Sequence, residues 1–124
     1  EKPVLFSHGN AAALCPHQRN LSDTQLEALA DNDGVIGLSY VPFFVHPSEP
    51  RLDHLLDHVD HVAEVAGIDH VGLGSDFDGG GTLLRNASEL DQIVAGLFSR
   101  GYAEADVRRV LGLNTLRVLR QVLP

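Results

Sequence analysis

Three short runs of the chain are apolar at nearly every position: "PVLFSH" (3–8), "VIGLSYV" (35–41) and "HVGLGSD" (70–76). Each is too short for a helix and does not alternate polar with apolar. That is the pattern of a strand buried on both faces. Between them the period changes. In "SDTQLEALADNDG", Ser22 and Gln25 have the spacing of a capping box, Leu26, Leu29 and Ala30 supply one face, and Asp33-Gly34 stops the helix. In 52–67 the period is clearest. Leu52, Leu55, Leu56, Val59, Val62, Ala63 and Ala66 form a stripe, Asp53, Asp57, Asp60 and Glu64 lie off it, and Gly67 ends it. A Pro-containing loop is expected between 41 and 50. Further helices are expected over 88–99, 104–111 and 114–122.

Apolar strands alternating with amphipathic helices predict an α/β fold of parallel βα units. No repeat, low-complexity tract or linker appears, so 1–124 reads as one segment without an internal boundary. In such folds chemistry collects at the carboxyl ends of strands. His8 ends the first strand and Asp76 the third, so both belong on one rim. For His8 the readings are a metal ligand or general base, or a hydrogen-bonded rim histidine. Asp76 stands directly at a strand end, where a carboxylate can bind a metal, accept from a substrate amine or move a proton. Asp78, ahead of Gly79-Gly80-Gly81, reads as a loop former. These glycines lack the spacing of a phosphate-binding loop. Arg19, on the loop after the first strand, suits a carboxylate but by itself equally suits solvent.

Other candidates recede. His54, His58 and His61 have ligand-like spacing, yet they alternate with aspartates and do not form HExxH, so they read as a solvated helix face. His17, His46 and His70 form no constellation. Cys15, the one cysteine, reads as packing and rules out a disulfide framework or a cysteine zinc motif. No GxSxG elbow occurs. Nine basic and seventeen acidic residues give a net charge of −8, with one lysine. That argues against nucleic acid and against anionic membrane surfaces. No run is long enough to span a membrane. The compartment stays open, leaning to the cytoplasm, with a secreted or lipid-anchored form compatible. The chain opens at Glu1 and holds no methionine, from which the back part of a longer protein is expected.

Together, "PVLFSHGNAAALCPHQRNLSDTQLEAL", "GVIGLSY", "LDHVDHVAEVAGIDHVGLGSDFDG" and "RGYAEADVRRVLGLNTLRV" resemble the C-terminal portion of the membrane dipeptidase (renal dipeptidase) family of zinc metallopeptidases. The SH-x-N…RN stretch combined with G-x-GSDFDG is the specific part. The resemblance implies a (β/α)8 TIM-type barrel, here about three parallel βα units plus C-terminal helices. It implies two zinc ions and a metal-bridging hydroxide that attacks the peptide carbonyl of a dipeptide substrate. His8 then matches a ligand of the second zinc, Arg19 the clamp on the terminal carboxylate, and Asp76 the acid that meets the substrate's amino end and handles a proton. Asp78 carries no direct role.

The family's other ligands come from the front half of the barrel and cannot be assigned here. These 124 residues alone are therefore expected to be inactive, with the N-terminal half of the barrel as missing partner. The resemblance also implies a homodimer. Smaller departures are Gly9, where the family often has Ser, and Ala103, where a capping Ser is common. Two other classes compete: a non-catalytic barrel fragment or binding module, and a related metal-dependent amidohydrolase acting on a non-peptide amide.

Overall fold

The structure, a computed structural model, describes residues 2–79 and 81–124. Glu1 and Gly80 lie outside it, and with them the reading of Glu1 and the middle of the three-glycine loop.

The three apolar runs form β1 (Leu5–Gly9), β2 (Val35–Ser39) and β3 (Val71–Ser75), all parallel and in the order β1-β2-β3. β2 is buried at all five positions, as a central parallel strand must be. The register pairs Leu5 with Val35 and Phe6 with Ile36, then Ile36 with Val71 and Leu38 with Leu73. Phe6, Ile36, Leu38, Val71 and Leu73 therefore share one face. They pack in a single core with Leu26, Leu29, Leu55, Leu56, Val59, Val62, Ile93 and Leu97. The other face is lined with small residues. A Cβ on Gly37 or on Gly74 would come 2.4 Å from the Ser7 carbonyl oxygen. The three strands approach so closely there that no side chain fits.

The helices follow the predicted pattern. α1 (Asp23–Asp31) starts on a complete capping box: Ser22 Oγ accepts from Gln25 N–H, and Gln25 accepts from Ser22 N–H. α3 (Leu52–Val65) buries Leu55, Leu56, Val59 and Val62. The loop after β2 differs from expectation, because it holds a short helix, α2 (Pro42–Val45), started by a proline at its first position. α4 (Asp91–Ser99) follows a 3₁₀ turn, and α5 (Glu104–Arg108) starts at Ala103 with no side-chain cap. A π-type stretch, Arg109–Leu113, is broken at Gly112 and leads into α6 (Asn114–Val122).

α6 closes the amino ends of the strands. Arg117 donates to the carbonyls of Asp33, before β2, and Asp69, before β3, at 2.8 and 3.0 Å. Lys2, before β1, donates to the Val122 carbonyl at 3.2 Å. Asn114 spans Ile68 O and Val71 O. The opposite end, with His8 and Asp76, is left to the loops. Among the described residues, both outer strands of this three-stranded sheet keep one unpaired edge. No helix among the described residues is long and apolar enough to cross a membrane.

Candidate active site

β1 carries Ser7 and His8 to its carboxyl end, and the loop 10–21 brings Arg19 back over them. Arg19 Nη2 lies 2.9 Å from His8 Nε2, and His8 Nδ1 lies 2.8 Å from Ser7 Oγ. A guanidinium only donates, so His8 Nε2 accepts. The imidazole is then neutral, with its proton on Nδ1 facing Ser7 Oγ. The Arg19 guanidinium also sits 5.5 Å from the centroid of the Phe44 ring, a cation–π arrangement, and Phe44 packs against His17 at 4.7 Å. Arg19 is thus seated between β1 and α2 while the residue as a whole stays exposed.

Asp76 follows β3 on the same rim. β2 lies between their strands in the sheet order. Its backbone is left-handed (φ 71°), as is that of Ser75 (φ 47°). Two consecutive non-glycine residues in this region are costly and turn the carboxylate out of the strand direction. Gly79 leaves room for it: a Cβ there would lie 2.7 Å from the carboxyl carbon and from both oxygens of Asp76. Asp76 is half-buried and Asp78 exposed. The structure brings His8 and Arg19 into contact and puts Asp76 on their rim. Among the described residues no three His, Cys, Asp or Glu side chains are grouped to hold a metal ion.

Behind the rim lies a buried polar network. Asn10 uses its side chain as a strand would use its backbone. Its Oδ1 accepts from Ser39 N–H at 2.8 Å and its Nδ2 donates to Ser39 O at 3.1 Å. Its own N–H donates to Asn20 Oδ1, and Asn20 Nδ2 donates to Cys15 O and Phe44 O. The last carbonyls of α2 have no helical partners and are met one by one. Cys15 Sγ–H reaches Phe43 O, Asn20 reaches Phe44 O, and His58 Nε2–H reaches Val45 O. The asparagines of the SH-x-N…RN motif therefore hold the loop that presents Arg19. Cys15 is buried and desolvation pushes its thiol up, consistent with packing.

The histidine-rich face of α3 is not solvated as expected. His58 is fully buried, bridging Ala11 N–H and Val45 O. His54 stacks on His46 at 4.0 Å, and His61 Nε2 meets Asp23 Oδ1 at 2.7 Å. The reason is packing on more than one side: α3 lies against α1 and α2 as well as the sheet. The spacing carried a signal for His58, which falls three residues after Leu55 and four before Val62, at the edge of the apolar stripe. His70 Nδ1 pairs with Gly34 O, a structural contact.

The family model for membrane dipeptidase (peptidase family M19) matches residues 1–123. Dipeptidase tcpJ of Claviceps purpurea is 41% identical over 125 residues, covering 97% of this chain and 29% of the relative. The chain spans 29–32% of the length of the curated relatives it matches. Among solved structures, a metallo peptidase from Rhodobacter sphaeroides liganded with a phosphinate mimic of the dipeptide L-Ala-D-Ala superposes with a TM-score of 0.91. The two share 31% identity over 98% of this chain and 36% of that one. Dipeptidase AC, a metallo peptidase of family M19, gives a TM-score of 0.90 at 31% identity over 97% of this chain and 38% of that one.

Proposed function

Because the chain belongs to the membrane dipeptidase family, peptidase family M19, we propose that it is the C-terminal part of a zinc-dependent dipeptidase barrel, acting as one segment over residues 1–124. The observation that carries this reading is the His8–Arg19 pair at 2.9 Å, on the same rim as Asp76. Two unpaired strand edges support further strands beside β1 and β3, since three strands do not close a barrel.

The donors in this chain fit one corner of a metal site and not the whole of it. His8 is a neutral imidazole with Nε2 as the accepting nitrogen, the form that ligates, but no second and third donor stand beside it among the described residues. His8 would supply one bond to one of two zinc ions, with the other donors outside these residues. When bound, zinc supplies polarisation of the peptide carbonyl and a water nucleophile at neutral pH.

The roles of this chain's own side chains follow from their chemistry. Arg19, an exposed residue steadied by Phe44, would exchange its contact with His8 for a two-pronged hydrogen bond to the substrate's terminal carboxylate. Asp76 would accept from the substrate's amino group and carry a proton toward the departing amine. A dipeptide holds a charge at each end, so a cation and an anion on one rim would select for a substrate charged at both ends. An amide lacking the carboxylate would lose Arg19, which favours a peptide over a non-peptide substrate.

The test is Arg19→Ala in the complete, zinc-loaded enzyme. Losing charge-assisted hydrogen bonds of about 1.5–3 kcal/mol should raise KM for dipeptides by roughly ten- to a hundredfold. Zinc content, measured in parallel, should stay at about two ions per chain. An unchanged KM would remove Arg19 from the carboxylate site.

A further inference from the structure

His58 is not on the rim. It sits mid-way along α3, on the outer layer, fully buried. Yet its two ring nitrogens reach two different rim loops. Nδ1 accepts from Ala11 N–H at 3.1 Å, and Nε2–H donates to Val45 O at 2.8 Å.

Both contacts lead to Arg19. Ala11 is in the neck of the loop that carries it. That neck closes through a parallel bridge between Ala11 and Leu21, with Ala12 N–H on Leu21 O and Leu21 N–H on Asn10 O, each at 2.8 Å. Val45 ends α2, whose Phe44 ring lies under the Arg19 guanidinium. One side chain thus ties the root of the Arg19 loop to the shelf on which Arg19 rests. The tie requires a rigid ring with a donor on one edge and an acceptor on another. A neutral imidazole provides both, and an apolar residue of similar size leaves a buried N–H and a buried C=O unpaired.

We propose that His58 is a positioning residue for substrate recognition, fixing the Arg19 loop against α2 so that the guanidinium is held where the substrate's terminal carboxylate binds. This rests on the assignment of Arg19 given above. It predicts an effect that general loosening of the fold would not produce. Only substrates that carry the carboxylate should notice the loss of His58.

The experiment compares kcat/KM for a dipeptide and for the same dipeptide with its carboxylate capped as an amide, in the complete zinc-loaded enzyme. His58→Leu should lower the preference for the free carboxylate about tenfold, about 1.4 kcal/mol for the two hydrogen bonds lost together. In an Arg19→Ala background the same change should leave the ratio unaltered, because the group it positions is gone. His58→Asn keeps an acceptor near the Nδ1 position but no donor that reaches Val45. It should lose about threefold, and it carries the test if the leucine variant does not fold. Equal losses on both substrates in a folded variant overturn the proposal for His58 while leaving Arg19 in place. A parent enzyme with no preference for the free carboxylate overturns the Arg19 assignment and this proposal with it.

Discussion

Gly74→Ala tests whether the inner face of the sheet is as tight as the structure has it. A Cβ at position 74 would lie 2.4 Å from Ser7 O, 2.6 Å from Gly37 O and 2.8 Å from Gly37 C. All three are backbone atoms of β1 and β2 and cannot rotate away. The overlap with Ser7 O is about 1 Å inside normal van der Waals contact, so the strands must separate, at an overpacking cost of about 3 kcal/mol. The alanine also narrows the unfolded ensemble, which returns about 0.7 kcal/mol. The net loss is about 2 kcal/mol, a fall in Tm of roughly 8 °C for a domain of this size. Gly72→Ala, two residues earlier on the same face, is the internal control. Its Cβ would meet the Thr115 hydroxyl and a Val35 methyl at 3.0 Å, both side-chain atoms that can yield. There an overpacking cost of about 1 kcal/mol nearly cancels against the same entropy gain. Urea unfolding of the two variants beside the parent reads both numbers. Equal stabilities for Gly74→Ala and Gly72→Ala would refute the close-approach argument. The assay has a functional corollary, because Ser7 and Gly74 stand one and two residues from His8 and Asp76.

Other outcomes follow from single sites. Asp76→Asn keeps a residue that tolerates φ 71°, so Tm should hold while kcat for dipeptides drops about a hundredfold or more; full activity would return Asp76 to a turn-forming role. Ala103→Ser should stabilise the protein by about 1 kcal/mol in urea unfolding. Position 103 already has the extended backbone of a helix cap (φ −67°, ψ 152°) and lacks only the oxygen. Burial holds the His58 imidazole below its ordinary value near 6.5, so between the folded and ordinary values the unfolded chain binds the extra proton and the folded chain does not. Stability should be full above about pH 6.5 and fall as pH drops below it, which urea midpoints at pH 7.5 and 5.5 measure. The acidic side chains Asp33 and Glu89, held below the usual carboxylate range, lose their contribution only at lower pH and leave that window clear. A flat profile there would mean that His58 is not held neutral.

The placement of the candidate residues was partly legible because they occupy positions that the local pattern defines. A polar residue that ends an apolar run must emerge at a strand end, and this placed His8 and Asp76 on one rim. Arg19 was visible only as a cation on a loop, since what seats it, the Phe44 ring and the His8 nitrogen, lies 25 and 11 positions away in sequence. The histidines of α3 misled for a related reason. Alternation with aspartate suggested a solvated face, but α1 and α2 cover parts of that face, and position 58 borders the apolar stripe. The short helix α2 was read as loop because four residues leave no period to detect.

By itself the sequence determined the types of the longer elements, their parallel α/β order and the polar ends of the strands. These follow from hydrophobic period and capping chemistry, which act over a few neighbouring residues. Only the tertiary structure decided which buried polar groups satisfy one another. Asn10 pairs with Ser39, Asn20 with Phe44 and His58 with both Ala11 and Val45 across separations of 29, 24, 47 and 13 residues. A buried donor takes whichever acceptor the packed core brings within reach, and that choice is made by the fold as a whole.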